Sequence, residues 1–204
     1  MYSLALITAP TTEPISVADA KKQLELATSY TAHDQHLAML ITAARQYVEN
    51  HTGLAICTQT WDYTFDRWPY GNEPIYLPKS PVASITSVKY YDQDGSQQTW
   101  SSGQYVVNVN RNPAVIRIQY GYTWPTYRAQ PDSHTIRMVC GYGATTTSAP
   151  AAIRQALLLL VSHWFEQRTP EIVGTTSANV AHALDALLMQ YRMPDEFIAY
   201  AEAC

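Results

Sequence analysis

Cysteine is scarce and unpatterned in this chain of 204 residues. Cys57, Cys140 and Cys204 are odd in number and show no CxxC spacing, which argues against a disulfide framework or a cysteine zinc site and fits a reducing compartment. Positive charge is also short: 13 Lys+Arg stand against 17 Asp+Glu, a net charge of −4. Proteins that grip nucleic acid through its phosphates usually carry the opposite excess, so tight DNA binding is not expected. Long apolar runs are missing as well. The longest aliphatic stretch, ALLLLV at 156–161, falls far short of the ~20 residues needed to cross a bilayer. The opening MYSLALITAPTTEP lacks the basic start and cleavage signal of a secretory leader. A soluble chain without membrane contact is the expectation. GxGxxG, P-loop, HExxH and GxSxG patterns do not occur, and neither do internal repeats, so no cofactor is implied.

What is present points to a folded chain. Hydrophobic residues make up 47% and charged residues only 15%, enough to bury a real core in one elaborated domain or two small ones. Three regions follow in order. In the first, 1–55, Ser16 with Asp19 three residues on approximates a capping box and opens a helix running to about Ala27, with Val17, Ala20 and Leu24 inward. After TSYTAHD, a second helix carries Leu37, Leu40, Ile41, Ala44, Tyr47 and Val48 at helical spacing, and Gly53 is its natural stop. The short polar connection predicts an antiparallel helical hairpin.

In the second region, 56–148, the period changes to two. Gln59, Trp61, Tyr63 and Phe65 alternate with Thr60, Asp62, Thr64 and Asp66, the mark of a strand with one buried face. SITSVKYYDQDGSQQTW reads as a hairpin around DQDG, with Gly95 free to take a positive φ. Further short strands are predicted at 105–109, 115–120 and 135–140, for a small antiparallel sandwich or barrel of about six or seven strands.

The third region, 149–204, returns to helix. Pro150 sits at a helix start, and Ile153, Ala156, Leu157, Leu160, Val161 and Trp164 form a stripe that Leu158 and Leu159 widen. A second helix carries Val180, Leu184, Leu187, Leu188 and Tyr191 inward and ends before Pro194. The segment from Met193 to Cys204, with Phe197, Ile198 and Tyr200, is too short for a stable helix of its own and reads as a docking tail. The fold class is thus α+β: segments 1–55 and 149–204 form one helical bundle domain, and a small antiparallel β module is inserted between them.

Catalytic candidates are few. His33, His36 and His51 could be read as a metal cluster, and His163 with Glu166 as an acid-base pair of a hydrolase, but helix-end solvation explains them more simply. Asp62 and Asp66 alternate with strand aromatics, and Asp92 and Asp94 sit in a turn. Buried cysteine generally behaves as a small hydrophobe. The chain is therefore not read as an enzyme. Its compositional excess is aromatic, 15 Tyr and 5 Trp, concentrated in WDYTFDRWPY at 61–70 and YGYTWPTY at 120–127. Such side chains fill a β core, anchor an interface or stack on sugars. The second stretch, with Tyr122, Trp124, Tyr127 and Arg128, is assigned to an interface loop, and a carbohydrate-binding module built on this aromatic region is the alternative function.

ITAPTTEPISVADAKKQLEL, AARQYVENHTG, QTWDYTFDRWP, IYLPKSPVASITSVKYYDQDG, the CGYG turn and PAAIRQALLLLVSHWFEQR, in this order and spacing, resemble the head-to-tail connector (adaptor) proteins of long-tailed bacteriophages, in the longer branch with a β insertion. The likeness runs from about Ile7 to Arg192. It implies a structural protein of the virion neck, assembled in the host bacterial cytoplasm as a dodecameric ring beneath the portal protein. That ring would extend the channel through which DNA passes without sequence-specific binding, and would present a surface to downstream neck or tail-completion proteins. Interface residues implied toward the portal or a neighbouring subunit are Trp164, Phe165, Arg168, Tyr191 and Arg192, although Trp164 and Phe165 could equally close the core of their own unit. The tail runs past the likeness, and Phe197, Ile198 and Tyr200 are expected by their own pattern to dock there too. Truncation after Arg192 is expected to weaken portal attachment.

Overall fold

The computed structural model describes residues 2–167 and 176–193, with side chains from His182 onward in the latter stretch. The chain forms two compact units, one of residues 2–9, 58–142 and Met193, the other of 10–57, 143–167 and 176–192. Arg168 and the tail residues Phe197, Ile198 and Tyr200 lie outside the described residues.

The helical unit contains α1 (Val17–Gln23), α2 (Asp34–Thr52), α3 (Ala151–Glu166) and α4 (Thr176–Leu188). α1 starts as the sequence predicts. Ser16 Oγ accepts from the Asp19 N–H at 3.0 Å, while the Asp19 carboxylate accepts from the Ser16 N–H at 3.0 Å and the Ser16 hydroxyl at 2.7 Å. The hydroxyl bond, then the backbone bond, holds the Asp19 carboxyl below its usual range. Ser16→Ala removes one capping acceptor and should lower stability by about 1 kcal/mol, read as an earlier urea midpoint for loss of helical circular dichroism.

The end of α1 differs from expectation, stopping at Gln23 rather than Ala27. Leu26 N–H donates to Lys21 O at 2.9 Å and Glu25 N–H to Lys22 O at 3.2 Å, with Glu25 in the left-handed region at φ 55°. These two nested bonds are a Schellman closure, which satisfies the last carbonyls and turns the chain out of the helix. The buried Lys21 ammonium then clamps the connection, bonding Thr28 O at 3.2 Å and Asp34 Oδ1 at 2.6 Å.

α2 ends where predicted, at Gly53 with φ 76°. Its buried face is not the one predicted throughout. Leu37, Leu40, Ile41, Ala44 and Val48 are buried, but Tyr47 is 48% exposed, and Arg45 and Glu49 are buried in its stead. Arg45 Nε and Nη2 reach the two Glu13 oxygens at 2.8 and 3.3 Å, and Nη1 reaches Glu49 Oε2 at 2.8 Å. The other Glu49 oxygen accepts the Ile56 N–H at 2.8 Å, and Thr42 Oγ1 donates to Glu13 at 3.0 Å. A paired ion network thus ties the chain's entry into this unit and its exit to the middle of α2. The α3 stripe is placed as read, with Ile153, Ala156, Leu157, Leu160 and Val161 buried and Leu158 and Leu159 partly so. In α4, Leu184 and Leu188 are buried, and Leu187 and Tyr191 half-buried.

The described residues of the β unit hold two antiparallel sheets. Its strands are β1 (Tyr2–Thr8), β2 (Gln59–Phe65), β3 (Ile75–Tyr76), β4 (Val82–Tyr91), β5 (Gln97–Thr99), β6 (Tyr105–Asn108), β7 (Val115–Ile118) and β8 (His134–Cys140). One sheet runs β1-β2-β8-β4-β5 and the other β3-β7-β6. The predicted alternation in β2 is real, since Tyr63 and Phe65 are buried, and β8 repeats it with His134, Ile136, Met138 and Cys140 on the buried face. On the other face Asp62 and Arg137, opposite one another, form a bidentate pair at 2.7 and 2.8 Å. The DQDG turn closes as expected, with Gly95 at φ 82°. β1 was not anticipated: residues 2–9, assigned from sequence to the helical segment, belong with the strands because β1 pairs along β2 from Tyr2↔Phe65 onward.

Candidate functional site

In the β unit the aromatic residues gather into one cluster. Phe65, at the end of β2, stacks on the His134 ring at 4.9 Å and 11°. Trp68 meets His134 edge-on at 4.1 Å, Trp100 at 5.4 Å and Trp124 in a parallel stack at 4.9 Å. Tyr127 also meets His134 edge-on at 4.5 Å, and Tyr105 packs on Trp100 at 4.9 Å. His134 is fully buried, and its Nδ1 lies 2.8 Å from Ser133 Oγ and 3.3 Å from Phe65 O. Burial pushes its pKa down to about 4, so the imidazole is neutral at physiological pH.

This cluster explains how a stretch without regular structure, 121–130, is held in place. Trp124 Nε1 donates to Gly71 O at 2.9 Å and Trp68 Nε1 donates to Pro125 O at 3.1 Å, so the two loops exchange hydrogen bonds across the ring stack. Arg128 N–H donates to Tyr91 O at 2.9 Å. The positive φ of Gly95 accounts for glycine in that turn, and the mobile end of the same arginine lies against it, 2.6 Å from where a Cβ would stand. Beside the stack is an open cleft of about 870 Å³ lined by Arg67, Tyr70, Glu73, Gln93, Trp124 and Thr126 among others.

Of the interface residues read from sequence in this loop, Tyr122 and Arg128 are exposed, while Trp124 and Tyr127 are half-buried in the cluster. Trp68 and Trp100 are 7% and 3% exposed, and one face of Trp124 is covered by Trp68. The tryptophans therefore pack against each other instead of forming an open platform for a sugar. The residues that stand free are tyrosines that sequence reading did not single out, Tyr70 at 91% and Tyr120 at 98% exposure. Each directly precedes a positive-φ glycine, Gly71 and Gly121, a turn-tip signature that points a side chain outward.

In the helical unit, the tip of α3 presents Trp164 and Phe165, both half-buried. Trp164 meets Tyr47 edge-on at 6.0 Å, and Tyr47 stacks on His51, which contacts Asp185 at 3.3 Å. Phe165 packs against His33 at 5.3 Å and His36 at 6.0 Å, and Tyr30 covers the His33 ring at 5.4 Å. Each of the two aromatics thus packs against its own unit and remains partly exposed. Tyr191 is half-buried and Arg192 exposed.

The residues weighed for catalysis are dispersed. His33 and His36 flank Phe165 while His51 sits on Tyr47, and among the described residues no three His, Cys, Asp or Glu converge as metal ligands. His163 and Glu166 share no hydrogen bond; the His163 carbonyl accepts the Gln167 N–H at 2.9 Å. Cys57 and Cys140 are buried free thiols, raised by that burial to about 11 and about 12, which leaves almost no thiolate at neutral pH. No described helix is long and apolar enough to cross a membrane.

No curated protein matches this chain. Solved structures do. It is similar to a chain in the virion of a native gene transfer agent particle (22% identity, TM-score 0.74, covering 94% of this chain and 95% of that one). It is likewise similar to chains in the neck of the native particle computed with C12 symmetry (22% identity, TM-score 0.74, 94% and 96% covered) and in the neck of the empty particle computed with C6 symmetry (23%, 0.73, 94% and 96%). Those likenesses establish a shared α+β fold along nearly the whole chain. The family model described as head completion protein matches residues 13–193, in agreement with the resemblance read from the sequence: this chain belongs to the head completion protein family.

Proposed function

We propose that this protein is a structural adaptor in the neck of a phage-like particle, forming a ring beneath the portal that prolongs the DNA channel and offers a docking surface to a neck or tail-completion protein. The observation that carries the reading is the similarity of nearly the whole fold to chains of a neck with C12 symmetry, joined to membership of the head completion family. The physical character of the chain supports it. A closed ring requires two different patches on each subunit, so that one heterologous contact repeats around the axis, and this chain carries aromatic surfaces in each unit: Tyr70, Tyr120 and Tyr122 in one, Tyr47 and the α3 tip in the other.

Within this reading the helical segments are the part that meets the portal or a neighbouring subunit, through Trp164, Phe165, Tyr191 and Arg192, extended by Arg168 and by Phe197, Ile198 and Tyr200 of the tail. The loop with Tyr122, Trp124, Tyr127 and Arg128 supplies a second contact from the β module. A net charge of −4 suits a channel that DNA must slide through, because duplex DNA carries one negative charge per ~1.7 Å and a strongly basic wall would hold it. The role is assembly, not turnover.

Electron microscopy of the portal ring of the same virus, with and without this protein, tests the proposal. The expected result is a coaxial second ring whose subunits are counted by rotational symmetry. A protein that stays monomeric and adds no density to intact portal would refute it.

A further inference from the structure

Among the described residues the β unit leaves strand edges open, and they are not alike. β3 is 2 residues long and β5 is 3, with three polar side chains. β4, beyond its pairing with β5, is irregular along its length, with register shifts in its pairing with β8 between Val82 and Ser84 and between Ile85 and Ser87, and bulges of this kind are a common way to blunt an edge. Two edges have an unbroken run of at least four paired residues. β1, YSLALIT, pairs in register with β2 on one side from Tyr2 to Leu6, with a shift only at its end between Leu6 and Thr8, and among the described residues has no strand on the other. β6, YVVN, pairs continuously with β7 from Tyr105 to Asn108 and is the last strand of its sheet.

Neither strand contains a charged residue or a proline, the two residue classes that most often keep an edge solitary. Both add exposed aliphatic surface: Leu6 and Ile7 are 46% and 47% exposed on β1, and Val106 is 50% exposed on β6. A lone protein with two uncharged edges that carry exposed aliphatic side chains is liable to self-association. In a ring, the same two edges are what a heterologous contact needs, since each subunit must offer one surface and its different complement.

We propose that β1 of one copy pairs along β6 of the next, so that β-strand addition between sheets forms the repeating contact of the ring. The occupant of each edge is a second copy of this chain. A twofold β1 to β1 contact is disfavoured because it closes at a dimer and leaves β6 exposed. Main-chain hydrogen bonds would supply the affinity, and the aliphatic side chains Leu6, Ile7 and Val106 the selectivity for this pair of edges. The inference rests on the ring reading above and identifies its subunit contact.

Hydrogen exchange read by mass spectrometry, on the free protein and on the protein assembled on its portal, reports backbone pairing directly. Outward-facing amides within 3–6 and within 105–108 should slow by roughly a hundredfold on assembly, both segments together. Leu6→Lys and Val106→Lys, each placing a charge at one edge while leaving the other intact, should each abolish the added ring without changing the circular dichroism of the free protein. A ring that forms with both segments exchanging as fast as before, or with only one protected, overturns the β1 to β6 contact and leaves the ring itself standing. Failure of the unaltered protein to add any ring overturns both.

Discussion

Arg45→Met should destabilise the helical unit by about 3 to 5 kcal/mol, the largest effect of any single substitution considered for this protein. Arg45 is 6% exposed and Glu49 also 6%, and Arg45 bonds Glu49 at 2.8 Å and Glu13 at 2.8 Å. Methionine fills the space but leaves the Glu49 carboxylate buried without its cation, and an uncompensated buried charge is what makes such a change costly. Glu49 cannot simply swing to solvent, because its other oxygen accepts the Ile56 N–H. Urea unfolding followed by far-ultraviolet circular dichroism should show a much earlier midpoint. Arg45→Met combined with Glu49→Gln should recover a substantial part of the loss, since a neutral amide oxygen still accepts from Ile56 and no charge is stranded. Equal stability of the single and double variants would contradict this account.

Acidification should weaken the β unit through His134. In the unfolded chain a histidine titrates near 6.5, whereas burial among Phe65, Trp68 and Tyr127 lowers the folded-state value to about 4. Between these two values the unfolded chain holds the extra proton, so stability falls as pH drops from about 6.5 and levels off below about 4, where both states are protonated. The difference of roughly 2.5 pKa units corresponds to about 3 kcal/mol. Tryptophan emission is a suitable probe, because Trp68, Trp100 and Trp124 pack in the same cluster. His134→Phe keeps a ring in the stack and removes the titration, so its urea midpoint should lose this portion of the pH dependence. An unchanged slope between pH 6.5 and 4 would assign the effect to other groups.

Both large effects fall on residues whose roles no local pattern discloses. Arg45 and Glu49 read as an ordinary solvent-facing pair four apart on a helix; they are buried because Glu13, far away in the chain, comes back to complete the charge balance. His134 looks like one more polar residue at the start of a strand, and becomes a neutral core group only when loops near 68 and 127 fold over it. Proton affinity and the sign of a buried charge depend on what surrounds a group in space, and sequence neighbours supply little of that.

Where the determinants are local, the amino-acid order is sufficient. The Ser16 and Asp19 capping box, the left-handed Gly53 stop, the period-two face of β2 and the hydrophobic stripe of α3 each involve atoms within a turn or two of one another, so their energetics are written in adjacent residues. The order and spacing of the family-like segments likewise sufficed to indicate a head-to-tail connector, because they survive without knowledge of any contact. Tertiary structure alone decided the rest. It placed β1 beside a strand some fifty residues away, turned Tyr47 outward in favour of a buried ion pair, and set Trp68 and Trp124 face to face while leaving Tyr70 and Tyr120 free. Strand pairing, ion-pair burial and ring stacking are contacts between distant segments, and their free energy exists only once chain closure has brought those segments together.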